Sequence, residues 1–334
     1  MLNWMPELYG RSLLRMVDLS DEEMLNVIDL AVALKARRRA GIRGDLLSRR
    51  HVALIFEKSS TRTRNSASIA IRDEGGTAEY LTKNDLHFGA KESVKDTARV
   101  LGRLFDGILF RGYAQQTVET LAAYAGVPVW NGLTDVFHPT QILADLMTIQ
   151  ENFGRLKGLK VAYVGDGRNN VANSLMFGCA KAGIHYVNCT PSDLLPDPDL
   201  VREAGEIARR HGAGVEVVTD PVRGVAGANV LYTDVWVSMG EEAQKEKRLR
   251  LLRPYQVNRA LVRATGNEDG GLIFLHCLPA FHDHETTVTA KSGALEVTDE
   301  VFEAPYSKVF DEAENRMHTI KALYVSALTD LSAL

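Results

Sequence analysis

Short apolar runs rich in β-branched residues alternate along this chain with stretches of helical periodicity, and that alternation restricts the fold more than any other feature. Val52–Phe56 leads into a helix predicted from Thr61, and strand signals at Thr77–Leu81, Ile108–Phe110 and Val127–Trp130 are separated by helices at Val94–Phe105 and Val118–Tyr124. A strand that is apolar throughout is buried on both faces, and a helix between successive strands supplies the crossover that parallel pairing needs. A second series starts at Val161–Val164 and repeats strand signals at Tyr186–Cys189, Val215–Val218, Val230–Tyr232 and Leu272–Leu275. The expected class is therefore α/β, with two doubly wound parallel-sheet domains joined by helices.

Ser20-Asp-Glu-Glu23 has the form of a capping box, and Leu25, Ile28, Val32 and Ala33 follow it at helical spacing. Pro139 suits the first turn of a helix running through Ile142, Leu143, Leu146 and Met147, with Gly154 as its stop, and this helix is expected to bridge the domains. Met317, Ile320, Leu323, Tyr324 and Leu328 mark a long terminal helix within Ala313–Leu331 that returns to the first domain. The expected division is 1–150, completed by a C-terminal helix at about 318–334, and 151–317.

Composition serves mainly to exclude. With 334 residues and 45% apolar content the chain can bury about two domain cores. Lys and Arg total 39 against 43 Asp and Glu, a formal charge of −4, so a nucleic-acid or acidic-membrane partner is not indicated and any anion site must be local. Met1–Ser12 lacks the basic region and apolar core of a secretory signal, and no apolar stretch is long enough to span a bilayer. Cys179, Cys189 and Cys277 are odd in number and show no CxxC spacing, which argues against a disulfide framework or structural zinc. A reducing cytoplasm is the expected setting, with neither metal nor cofactor.

Three segments carry the chemistry. Ser60-Thr-Arg-Thr-Arg64 follows a buried strand and opens a helix, so hydroxyls, a guanidinium fork and the positive end of a helix dipole converge as in a phosphate cradle. Taken alone it reads equally as a capped surface helix with solvated arginines. His138-Pro-Thr-Gln141 stands at a helix start, and His276-Cys-Leu-Pro279 directly follows a strand. A lone histidine or cysteine is more often structural than catalytic, and only the joint occurrence is specific.

These segments resemble those of the carbamoyltransferases, whose motifs read STRT, HPxQ and HCLP. The likeness extends to Arg111 in Phe-Arg-Gly-Tyr, to Asp234 and Ser238-Met239-Gly240, and to Arg316 in Glu-Asn-Arg-Met-His, so it spans nearly the entire chain. The SMG segment is similar to the ornithine branch rather than the aspartate branch. The resemblance implies that Ser60, Thr61, Arg62 and Thr63 hold the phosphate of carbamoyl phosphate. Arg111, His138, Pro139, Thr140 and Gln141 would then surround the carbamoyl end, completed by Arg316 and the backbone at Cys277 and Leu278. It also implies that Asp234 and Ser238 take the α-ammonium of L-ornithine, that Asn170 and the Met239 backbone meet its α-carboxylate, and that Arg111, His138 and Cys277 are catalytic. His87 would reach the phosphate site of a neighbouring subunit in a homotrimer or a multiple of trimers, although a solvated loop histidine is an equal reading. The activity so implied forms L-citrulline and phosphate and belongs to arginine metabolism, biosynthesis included.

Two rivals are weighed against it. Val164-Gly-Asp-Gly167-Arg-Asn-Asn170 follows a strand and opens a helix as a dinucleotide-binding loop does, but Asn170 occupies the place of the third glycine, and Asp193, the nearest acid at a suitable distance, lies in a Pro-rich stretch. A non-catalytic module of the same fold would have no need for intact cradle, HPTQ and HCLP segments. Within the enzyme class, putrescine or another amine is the alternative acceptor.

Overall fold

The computed structural model describes residues 6–86, 92–237 and 244–329. It divides into two compact units, Met1–Met147 with Glu314–Leu334, and Thr148–Ala313.

The first unit runs α1 (Asp21–Arg39), β1 (His51–Phe56), α2 (Thr61–Arg72), β2 (Thr77–Thr82), α3 (Val94–Leu104), β3 (Gly107–Arg111), α4 (Gln115–Ala125), β4 (Val129–Leu133) and the first part of α5 (Pro139–Phe153). The capping box is present: the Ser20 hydroxyl accepts from the Glu23 N–H at 3.1 Å and the Glu23 carboxylate from the Ser20 N–H at 2.6 Å. All strand pairings are parallel, in the order β2-β1-β3-β4. Ala53, Ile55, Ile108 and Phe110 pack with Ala98, Leu101, Val118 and Leu121 of α3 and α4 to form its core.

The strand expected to end at Trp130 continues to Leu133. Asn131 interrupts the apolar pattern there, yet its amide donates to the Leu14 carbonyl at 3.1 Å, which offsets its burial. Between β3 and β4 the register shifts after Phe110, which pairs with Asn131 while Arg111 pairs with Leu133, so Gly132 is the extra residue.

The second unit contains β5 (Lys160–Val164), α6 (Asn170–Ala182), β6 (His185–Cys189), α7 (Pro198–Arg210), β7 (Val215–Val218), α8 (Pro221–Val225), β8 (Val230–Thr233), α9 (Lys245–Leu252), α10 (Arg259–Ala264), β9 (Ile273–His276), α11 (Asp299–Phe302) and the start of α12 (Val309–Leu328). Its sheet is also wholly parallel, ordered β7-β6-β5-β8-β9. Every residue of β8 and β9 is buried, as covering of both sheet faces requires, although β9 is an edge strand. The terminal helix starts at Val309, a turn earlier than its apolar pattern implied, because Asp311 and Glu312 occupy its first turn, where a helix dipole favours acids. No helix among the described residues is long and apolar enough to cross a membrane.

Candidate active site

Each unit presents its functional groups where its strands end. In the first, β1 delivers the chain to Phe56 and α2 opens with Ser60 as N-cap, its hydroxyl accepting the Thr63 N–H at 3.3 Å. Ser60 and Arg62 are partly exposed and Thr61 is exposed, whereas Thr63 is buried. The STRTR string divides at its end, because the Arg64 guanidinium lies 3.8 Å over the Tyr80 ring and is thereby drawn off the cradle. Gly132 permits the close packing beneath: a Cβ there would lie 2.9 Å from Leu109 and 3.4 Å from Thr63.

The buried Thr63 hydroxyl is a hub. It accepts from Arg111 Nη1 at 3.3 Å and from Arg316 Nη2 at 3.0 Å, although Arg316 lies 253 residues away in sequence. Arg316 Nη1 also donates to Gln141 Oε1 and, at 3.3 Å, to His138 Nε2. Gln141 in turn donates to Asp145 Oδ1 at 2.8 Å, so its amide braces Arg316. Thr140 is fully buried with its hydroxyl 3.5 Å from the Asn131 carbonyl, and Pro139 opens α5, so these two build the helix start and the side chains of His138 and Gln141 face the guanidinium.

Burial first, then the charges of Arg316, Arg111 and Arg62, push the His138 pKa well below its ordinary value. The imidazole is therefore neutral. A guanidinium always donates, so Nε2 accepts and the ring proton resides on Nδ1. Three guanidinium groups acting on one neutral histidine make a strongly positive local field in a chain of net negative charge.

In the second unit, Asn170 begins α6 and is partly exposed, with Asn169 as the N-cap accepting the Val171 N–H at 2.7 Å. Gly167 does not act as a dinucleotide-binding glycine. Its N–H donates to Thr190 at 2.9 Å, its carbonyl accepts from Asn188 at 3.1 Å, and a Cβ there would meet Leu194, Asn188 and Thr190 within 2.8 Å. The backbone face that a pyrophosphate needs is thus occupied by protein.

Asp234 follows β8, is buried, and accepts from its neighbour Val235 N–H at 2.8 Å and from Cys277 Sγ at 3.2 Å. Cys277 and Leu278 follow β9, and Leu278 has φ 57. The Leu278 N–H donates to His276 Nδ1 at 2.9 Å and is thereby engaged within the turn. Asp234, His276 and Cys277 lie within metal-ligand spacing, but the His276 nitrogens face Leu278 N–H and Glu296.

His87, Ser238 and Met239 lie outside the described residues. Sequence reasoning missed four groups: Asp145, the Arg248–Asp166 ion pair with both side chains buried, Glu296 and Glu312. Arg248 also donates to the Trp236 carbonyl at 2.7 Å and so ties the loop after β5 to the segment after β8.

Residues 11–151 match the aspartate/ornithine carbamoyltransferase carbamoyl-P binding domain, and residues 157–327 match the Asp/Orn binding domain of the same family. The chain belongs to the aspartate/ornithine carbamoyltransferase family and is a carbamoyltransferase. Within that family it is 54% identical to the catabolic ornithine carbamoyltransferase of Bacillus licheniformis over 99% of this chain and 100% of that one. It is likewise 54% identical to the ornithine carbamoyltransferase of Pseudothermotoga lettingae, over 96% of this chain and 98% of that one. The solved ornithine carbamoyltransferase of Pyrococcus furiosus superposes with a TM-score of 0.89 at 44% identity, covering 96% of this chain and 98% of that one.

Proposed function

We propose that this protein transfers the carbamoyl group of carbamoyl phosphate to the side-chain amine of L-ornithine, giving L-citrulline and phosphate. The observation that carries the reading is the convergence of Arg62, Arg111 and Arg316 on His138 and Thr63, a site built for a dianion that gains charge as it leaves. Ser60, Thr61, Arg62 and Thr63 hold the phosphate. Arg111 and the Nδ1–H of neutral His138 polarise the carbamoyl oxygen, while Gln141 keeps Arg316 in place.

The neutral amine attacks the carbamoyl carbon directly. A C–N bond forms, the C–O bond to phosphate breaks with its electron pair leaving on phosphate oxygen, and the amine sheds one proton to the phosphate or to solvent. Asp234 and Ser238 take the α-ammonium, and Asn170 with the Met239 backbone takes the α-carboxylate. Cys277, bonded to Asp234, holds that carboxylate in place. Putrescine has no α-carboxylate for Asn170 and the Met239 backbone to meet, so ornithine is the better acceptor. The catabolic name of the Bacillus licheniformis relative supports arginine breakdown over biosynthesis as the cellular setting. A cytoplasmic homotrimer, or a multiple of trimers, with the His87 loop donated between subunits, rests on the family likeness.

The test is a citrulline assay with ornithine, putrescine and aspartate offered in parallel. Ornithine is expected to give the highest kcat/KM; equal turnover of putrescine would overturn the assignment of Asn170 and the Met239 backbone to the α-carboxylate.

A further inference from the structure

Two carboxylates that the mechanism does not use, Glu296 and Glu312, are fully buried beside the turn that carries Cys277 and Leu278. Glu312 accepts the His276 backbone N–H at 2.9 Å and the Tyr232 hydroxyl at 3.1 Å, which fixes the end of β9. Glu296 Oε1 accepts the Phe281 N–H at 2.6 Å and stands 3.3 Å from His276 Nε2, while its Oε2 is buried without a hydrogen-bond partner. An orphaned, buried carboxylate oxygen costs stability, and an apolar side chain would avoid that cost.

The hydrogen bonds decide the histidine tautomer. His276 Nδ1 lies 2.9 Å from the Leu278 N–H, so a proton on Nδ1 would set two donors against each other. The ring proton is therefore on Nε2, where Glu296 Oε1 accepts it. Leu278 itself sits at φ 57, a conformation that a branched side chain adopts only when its surroundings impose it.

We propose that Glu296 is a positioning residue for carbamoyl transfer: it fixes the His276 tautomer whose Nδ1 holds the Leu278 N–H, and so sets the orientation of the 277–278 backbone. The chain of control runs Glu296 to His276 to Leu278, across 20 residues of sequence at its first link. This rests on the reading that Cys277 and Leu278 face the carbamoyl group.

The two halves of the imidazole can be replaced separately. In His276→Asn the amide oxygen stands where Nδ1 was and keeps an acceptor for Leu278 N–H, whereas in His276→Gln the amide nitrogen reaches the Nε2 position and leaves Leu278 unheld. Citrulline formation by His276→Gln is expected to fall in kcat by roughly ten- to hundredfold, and by His276→Asn by several-fold less. Glu296→Gln, which retains an acceptor oxygen, should keep activity within about threefold, while Glu296→Leu should match His276→Gln. Inorganic phosphate affinity, measured by calorimetry, serves as the folding control because the cradle lies in the other unit. Equal losses in the two His276 variants, or wild-type kcat in Glu296→Leu, with phosphate binding intact, would overturn the proposal. A wild-type enzyme that makes no citrulline would instead refute the functional reading on which it rests. Should Glu296→Leu fail to bind phosphate at all, the contrast between His276→Asn and His276→Gln decides.

Discussion

In the first unit the functional groups are side chains drawn from α2, β3, α5 and α12 and locked to one another, Arg316 to Thr63, His138 and Gln141. In the second they are short side chains and backbone standing at the ends of β5, β8 and β9, with Asp234 bonded to Cys277 and the Leu278 turn held from behind. On the proposed reading, the contrast follows from the ligands. A phosphate dianion is bound by fixed charge, which works best when the charges cannot relax away from it. An amino-acid acceptor must be oriented and its attacking amine left free, which is a task for shaped loops.

Four experiments bear on that contrast. The largest effect is expected from Arg62→Ala, since charge-assisted bonds to a dianion contribute about 1.5–3 kcal/mol each and the guanidinium offers two. Carbamoyl phosphate affinity should fall by a hundredfold or more, on the order of what those bonds supply. Wild-type affinity by calorimetry would place the phosphate elsewhere.

The rigidity of the first unit should also be acid-sensitive. Burial lowers the His318 pKa from 6.5 to about 4 on α12, with Lys321 and Lys35 also lowering it and Glu314, 3.1 Å away, opposing them. The unfolded chain gains the proton near 6.5 and the folded chain only near 4. Stability from this group is thus complete above about pH 6.5 and is lost as pH falls toward 4, by about 3 kcal/mol at about 1.4 kcal/mol per pH unit. Urea midpoints recorded across this range should drop in wild type and drop less in His318→Gln; parallel curves would show that His318 is not the group responsible.

Asp234→Asn should raise the KM for ornithine roughly tenfold or more, the value of one buried charged hydrogen bond, and leave carbamoyl phosphate affinity unchanged. Weakening of both ligands alike would erase the distinction between the units. The smallest effect belongs to Arg64→Ala, which removes a cation–π contact worth at most about 1 kcal/mol. Phosphate binding should stay within about twofold of wild type, and a larger loss would place Arg64 in the cradle.

Legibility followed the range of the contacts. STRT and HPTQ could be read because each is a contiguous loop-to-helix segment whose donors act locally, and the strands because apolar runs announce burial on both faces. The hub role of Thr63 could not be read, since it depends on Arg111 and Arg316, 48 and 253 residues away. Nor could the pairing of Asp166 with Arg248, 82 residues apart, because a buried ion pair has no local signature. No role for Arg64 was assigned from the sequence, and Tyr80 on the neighbouring strand shows where its guanidinium rests.

The position of Arg316 on α12 also sets an order of events during synthesis. Its guanidinium emerges 253 residues after the Thr63 hydroxyl that it grips. At about 5–20 residues/s, a ribosome needs more than roughly ten seconds to cross that interval. Once residue 141 has been added, the nascent chain holds Thr63, His138 and Gln141 without the residue that joins them. On the proposed reading, a chain cut short before α12 lacks the guanidinium that braces Thr63, His138 and Gln141, and is expected to hold phosphate less tightly than the full chain.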